Sequence, residues 1–305
     1  MDYYLCSSNI LTMKKIAYAL IFLMSFIGIK AQEKETTVAD TTKAWTKKGN
    51  ATLLFNQSTF DNWLAGGENN VSGNIGVNYD FNYKKGDWSW DNKVQASYGL
   101  VKTKTSAFAK KTDDRFEINS LLGKKAKGYW YYSAFLNFKT QFTKGYVYDR
   151  DANGAEIRKE YTAFLSPGYL YFGPGLLWKR NDNLKFNLSP MTSKFTFVDK
   201  NRTLPEEAYF GVKEGESIRY ELGFNASAYY KVGVIANVMF ENILNLYSNY
   251  LEDIQNVDID YQLNIVLKVN RYISTNISFQ TIYDDNALQG FQVRQVFGVG
   301  ANYGF

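Results

Sequence analysis

The sequence predicts an all-β chain, a transmembrane antiparallel up-and-down β-barrel of about 12 strands. Three observations predict it. Apolar and polar residues alternate with period two over stretches of ten or more residues, the signature of strands with one apolar and one polar face. The connections between these stretches alternate between short and long, as in barrels with a rim of tight turns and a rim of long loops. The 305 residues include 24 Tyr, 22 Phe, 6 Trp and only 4 Pro. The mean hydropathy of −0.34 does not fit a bundle of membrane helices.

Residues 1–31 read as a secretory signal peptide. Met13-Lys14-Lys15 is a positive start, Ile16 to Ile29 an apolar run, and Ala31 a small residue at the cleavage position. The run is shorter than the roughly 20 residues a membrane helix needs. Met13 is a possible true start. Residues 32–44 are polar and read as a flexible periplasmic lead-in. Removing residues 1–31 takes away Lys14, Lys15, Lys30 and Asp2, so the net charge falls from +5 to 32 − 29 = +3. That small excess offers no case for nucleic acid.

The barrel is assigned to residues 45–305. Val71, Gly73, Ile75, Val77, Tyr79, Phe81 and Tyr83 share one face, and Ser72, Asn74, Asn78, Asp80 and Asn82 the other. Ile218 to Tyr230 and Val257 to Val269 repeat the pattern. Soluble strands usually run about 5–6 residues, whereas membrane-barrel strands need about 9–11. The strands are placed at 49–57, 70–84, 88–103, 115–124, 129–143, 166–181, 184–198, 217–230, 232–246, 256–269, 272–283 and 291–305. Short turns fall at 85–87, 125–128, 181–183, Lys231 and 270–271. Long loops fall at 58–69, 104–114, 144–165, 199–216, 247–255 and 284–290. An even strand count puts both ends of the barrel on the short-turn side, which predicts an outer-membrane protein with periplasmic termini. Trp88, Trp130, Trp178 and Tyr272 lie near short turns, and Phe60, Phe142, Phe197, Tyr247 and Tyr283 near long loops, as two aromatic girdles would require. The last strand alternates up to Tyr303 and Phe305, which resembles the insertion signal that outer-membrane barrels present to their assembly machinery.

The stretch Trp45…Gly49…Phe55-Asn56-Gln57…Asn62-Trp63-Leu64-Ala65-Gly66-Gly67-Glu68-Asn69 resembles the opening of a Bacteroidota family, domain of unknown function 3078. The resemblance implies an outer-membrane protein and brings no reaction, substrate or catalytic residue. In its most specific part, Trp63, Gly66 and Gly67 read either as a fold-back anchored in the barrel mouth or as a hairpin turn whose Trp marks the lipid interface.

Inward parity selects Glu117, Arg219, Glu221, Asp258, Asp260 and Arg294 as a lumen charge cluster on the long-loop side, with Asp80, Glu241, Lys93, Lys139 and Lys268 also inward. Such a set is either a selectivity constriction or a salt-bridged network that fills the lumen. Asp258 and Asp260 face the same way but lack the ligand run of a calcium loop, so no metal is assigned. The turn at Asp182 sets Gly173-Pro174-Gly175 against Ser189-Pro190. Neither proline has an N–H for the ladder. Parity also changes along both strands, from Leu184, Phe186 and Leu188 to Phe195 and Phe197 and from Tyr169 and Tyr171 to Leu176 and Trp178, which predicts a bulge in each. The pair reads as a lateral opening for an apolar ligand or as a kink in the wall.

With no histidine and a single Cys6, histidine-based catalysis, histidine zinc sites and disulfides are excluded. No enzyme activity and no cofactor are expected. The function predicted is a narrow channel or transporter for a small or lipophilic solute; the alternative is a structural or accessory subunit of an outer-membrane secretion or assembly complex. The partners expected are outer-membrane lipid, the barrel-assembly machinery and other membrane proteins.

Overall fold

A computed structural model describes residues 44–59, 68–203, 209–270, 272–284 and 286–305. Residues 1–31, residues 32–43 of the lead-in, Phe60, and Trp63, Gly66 and Gly67 lie outside the described residues.

Fourteen strands follow in chain order: β1 (Trp45–Ser58), β2 (Asn70–Lys85), β3 (Trp88–Thr103), β4 (Lys110–Lys127), β5 (Trp130–Thr140), β6 (Gly145–Arg150), β7 (Glu156–Thr162), β8 (Gly168–Asn181), β9 (Leu184–Phe197), β10 (Ile218–Ile235), β11 (Val238–Asn249), β12 (Val257–Lys268), β13 (Ile273–Asp284) and β14 (Leu288–Gly304). Twelve of them close into one antiparallel barrel in which sequence neighbours are spatial neighbours. β6 and β7 pair only with each other, as a hairpin within the long connection between β5 and β8.

The barrel is inside-out relative to a soluble core. Outward positions are apolar and exposed, as with Leu53, Ile75, Tyr132, Val293 and Phe297, all between 54% and 65% exposed. Inward positions are polar and buried: Glu117, Lys194, Glu221 and Gln262 are each no more than 2% exposed. A chain that folded this way in water would leave its apolar face wet and its charges enclosed. The arrangement is stable only when hydrocarbon covers the outside.

Most predicted strands lie close to where the alternation puts them; β1 starts earlier, at Trp45, β5 ends earlier, at Thr140, and four other placements differ. The β10–β11 turn is not at Lys231 but at residues 236–237, because Val232 to Ile235 continue the alternation and pair with β11 as far as Val238. Asn237, at φ 66°, makes the tight reversal. The loop placed at 284–290 shrinks to 285–287, and a register shift between Tyr283 and Asp284 takes up Gly290. β4 runs to both sides of the range 115–124, and the loop at 144–165 contains the β6–β7 hairpin. Tyr247 is not a girdle residue: it is 4% exposed and faces the lumen.

The closing seam is short. β1 pairs with β2 over fourteen positions but with β14 over six, from Asn50↔Gly304 to Phe55↔Val299. Gly49 and Phe305 add a reciprocal pair of backbone hydrogen bonds, 2.6 and 3.0 Å. Gly49 is required here because a Cβ would collide with the Phe305 ring. That ring also stacks on Tyr79 at 6.1 Å. The aromatic ring covering a glycine on the neighbouring strand is a known way of fixing register. Gly49→Val should cost about 1–3 kcal/mol by overpacking. The expected readout is a smaller folded fraction in unboiled gel electrophoresis, with normal β content once folded.

Candidate functional site

The candidate site is the lumen, a cavity of about 810 Å³ lined mainly by polar and charged side chains of the strands. Its geometry follows from parity: every second residue of each strand points in, and strands on opposite walls bring opposite charges into reach.

The six predicted residues all carry ion pairs or hydrogen bonds within the lumen or at its long-loop mouth, but they do not form one cluster. Glu117 is bound by the Arg115 guanidinium and accepts from Asn119 (2.8 Å) and Asn137 (2.9 Å). Asp260 pairs with Lys139 across the barrel, from β12 to β5. Arg294 on β14 pairs with Asp113 on β4. Arg219 holds Glu221 through Nε at 2.9 Å and reaches Glu252 at 2.7 Å. Asp258 and Glu221 share Lys194, at 2.9 and 3.2 Å, with Asp284 at 3.9 Å.

Lys194 is the centre that sequence reading missed. It is 1% exposed, and its ammonium also lies 5.0 Å from the Tyr247 ring and 5.8 Å from the Tyr171 ring. Its direction was available from parity: Phe195 and Phe197 point outward, so Lys194 between Ser193 and Phe195 must point in. Three further pairs lie toward the short-turn rim. Asp91 on β3 receives Lys179 at 2.9 Å and Lys185 at 2.8 Å. Lys93 on β3 reaches Glu241 on β11, on the opposite wall, at 2.8 Å. Tyr229 donates to the same carboxylate at 2.8 Å.

The proline pair stands at a true break in the ladder. β8 and β9 pair from Asn181↔Leu184 to Leu176↔Leu188, then again from Phe172↔Ser193. Three residues of β8 face four of β9, so Pro190 and Met191 form a bulge in β9, and both turn outward. β10 skips the same extra residue. The predicted second bulge, in β8 beside Pro174, is absent; the one extra residue of β8 against β9 is Arg180, next to the turn. β8 stays in unbroken register with β5, Ala134↔Pro174 included, because Tyr169 and Tyr171 face the lumen rather than the lipid. Reading Tyr169 and Tyr171 as outward is what predicts that bulge.

The break is bridged. Ser189 Oγ donates to the Pro174 carbonyl at 2.6 Å, and Thr192 Oγ1 donates to the Ser189 carbonyl at 3.1 Å. From the other strand side, the Tyr250 hydroxyl donates to the Pro190 carbonyl at 3.0 Å. Gly173 and Gly175 let the strands close in, since a Cβ on either would strike a carbonyl oxygen of β9. Side-chain hydroxyls thus serve carbonyls at the break, and one of them, that of Ser189, crosses from β9 to β8.

Above the long-loop rim, the β6–β7 hairpin is fastened by charge. Arg158 lies 4.5 Å from the Phe108 ring and 4.2 Å from the Tyr146 ring, and Lys110 4.7 Å from the Tyr148 ring. Glu156 accepts from Lys110, from the Ala107 N–H at 2.7 Å and from the Ser106 hydroxyl at 3.0 Å. These bonds, led by that from Lys110, hold its carboxyl at about 2 against an ordinary 4.5. Lys144 and Arg202 lower Glu160 in the same way.

Residues 55–146 match the model of a family described as a protein of unknown function, DUF3078. No curated protein matches the chain. Among solved structures, the chain is similar in barrel architecture to the translocator domain of autotransporter NalP from Neisseria meningitidis. The identity is 7%, with 97% of each chain covered and a TM-score of 0.38. It is also similar to the beta domain of the Bordetella autotransporter Brka, at 8% identity over 86% of this chain and 100% of that one, TM-score 0.35. The outer membrane channel DcaP of Acinetobacter baumannii is similar at 10% identity over 86% of this chain and 97% of that one, TM-score 0.32.

Two outcomes follow. Lys194→Met leaves Glu221 and Asp258 enclosed without their shared cation, and removing one member of a buried pair costs about 3–5 kcal/mol. The denaturation midpoint of the refolded barrel in detergent should fall accordingly, whereas Lys200→Met on the exposed rim should leave it unchanged. The hairpin should respond to acid. Both its carboxyls are depressed, so their contribution is complete above about pH 4.5 and is lost as pH falls through the folded values. Amide protection factors in residues 145–162, corrected for the intrinsic pH dependence of exchange, should fall between pH 5 and about pH 2 before those of the barrel strands change.

Proposed function

We propose that this chain is a non-catalytic outer-membrane β-barrel whose lumen is barred by charge pairs, acting as a structural or accessory subunit rather than as an open pore. Its inverted surface, apolar outside and charged inside, supports the membrane location. The short turns on one rim support periplasmic ends, because outer-membrane barrels carry their short turns there. The observation that carries the molecular role is the Lys93–Glu241 bridge from β3 to β11, half the circumference apart. With Lys139–Asp260 it places two crossbars at different heights in the lumen. A selective pore presents a ring of one sign around an open path, whereas here both signs meet on the axis.

The cavity of about 810 Å³ supports a second reading, a narrow channel that conducts when the crossbars part. Planar-bilayer recording separates the two. The barred reading expects the wild-type barrel to be silent at moderate voltage, and Lys93→Ala with Glu241→Ala and Lys139→Ala with Asp260→Ala to produce discrete steps. Steady, discrete steps from the wild type would establish the channel and remove the barred reading. Copurification of membrane subunits from mild detergent would support the accessory role.

A further inference from the structure

The short-turn rim carries charge that the lumen network does not use. Lys84, Lys85, Lys124, Lys125 and Lys127 are all exposed, and the two turns that hold them, at residues 84–87 and 124–128, contain one carboxylate, Asp87. None of the five lysines forms an ion pair among the described residues, although Lys93, Lys139, Lys179, Lys185 and Lys194 inside the barrel all do.

Strand register arranges part of this charge. Lys85 on β2 is opposite Trp88 on β3, Trp88 is opposite Lys124 on β4, and Lys124 is opposite Tyr132 on β5. All four share the outward parity of Val77, Trp90, Leu122 and Leu136, so they form one row on the lipid-facing wall. The Lys124 ammonium lies 5.5 Å from the Trp88 ring centre. Trp88 is 44% and Tyr132 65% exposed. The next row toward the barrel middle is Tyr83, Trp90 and Leu122, so the ammonium groups mark the boundary where the wall turns from polar to apolar.

We propose that Lys85, Trp88, Lys124 and Tyr132 form a binding site for the phosphate of an anionic phospholipid in the leaflet at the short-turn rim. The proposal rests on the membrane reading above. Two lysines in register on either side of Trp88, one with its ammonium by the indole, can offer a phosphate charge-assisted donors. The aromatic faces receive the glycerol backbone at the depth where Trp and Tyr reside in barrels. The acyl chains then run along the exposed row of Trp90 and Leu122. Charge complementarity selects an anionic lipid over a zwitterionic one. In the latter the headgroup's own cation competes for the phosphate and is repelled by the local excess of lysine.

Native mass spectrometry of the full detergent-solubilised chain tests this, with phosphatidylglycerol and phosphatidylcholine of equal chain length as probes. Wild type should retain phosphatidylglycerol in preference. Lys85→Gln and Lys124→Gln should each weaken that preference about fivefold, the factor a basic residue near an anionic surface contributes. Lys85→Arg with Lys124→Arg should keep it, and so should Lys200→Gln with Lys213→Gln on the opposite rim. Equal retention of the two lipids by wild type overturns the site, as does an unchanged preference in both Gln variants. A folded state is checked in each case by heat-modifiable gel migration, and the single variants decide if the double one does not fold. Failure of the membrane reading shows differently, as a compact monomer soluble without any amphiphile.

Discussion

The structure depends on one constraint: a backbone N–H or C=O that faces hydrocarbon must find a partner within the protein. That requirement explains why twelve strands close on themselves and why the last strand must meet the first. It also explains two local features that look unrelated. Gly49 is small so that the Phe305 ring can lie across it at the shortest seam. Ser189 is fully buried so that its hydroxyl can serve the Pro174 carbonyl at the one place where β8 and β9 cannot pair. In water either gap would be filled by solvent at little cost. In lipid each needs a dedicated residue.

The same constraint shapes the lumen by a different route. Because the apolar residues are committed to the outside, the interior receives the polar half of each strand, and the enclosed charges must satisfy one another. They do so across the barrel: Lys93 to Glu241, Lys139 to Asp260, and Lys194 to both Glu221 and Asp258. Buried ion pairs add little net stability, since desolvation offsets much of the attraction, yet losing one partner is expensive. Such pairs specify which strand faces which more than they strengthen the fold. Exchanging the partners of Lys93 and Lys139 would require opposite walls to slide past one another, so the pairs act as a register lock on a wall whose apolar outer face is nearly uniform.

Much of this was legible in the sequence because a strand's period is two and a one-residue error reverses its faces. Alternation marks out twelve barrel strands and assigns Glu117, Arg219, Glu221, Asp258, Asp260 and Arg294 an inward direction. It was less reliable where chemistry is ambiguous. Tyrosine suits both a lipid interface and a polar lumen, so residue type alone reads Tyr169, Tyr171 and Tyr247 as outward and predicts a bulge in β8 beside Pro174 that is absent. The bulge in β9 was legible because phenylalanine has no such ambiguity: Phe186 and Phe195 are both outward at opposite parity. Pairing across the lumen was beyond parity altogether. Which inward lysine meets which inward carboxylate depends on strand tilt and stagger, which alternation does not encode. Lys194 could have been assigned inward, but not as the shared partner of carboxylates on β10 and β12.

The division of lysines carries the last step. Inside the barrel, Lys93, Lys139, Lys179, Lys185 and Lys194 each meet a carboxylate from another strand. On the short-turn rim, Lys85 and Lys124 are outward, exposed and unpaired among the described residues, although Asp87 lies within the turn next to them. A fold that enclosed only paired charge for stability would have no reason to keep an unbalanced excess at its edge, where like charges repel. Membrane supplies the reason. An ammonium at the interface keeps its hydration while its methylenes lie along apolar surface, so its burial cost is small. Its charge is then free for whatever the leaflet presents. The two populations therefore follow from one rule about where water is excluded: enclosed charge must be cancelled by the chain, and interfacial charge is left for the bilayer to cancel.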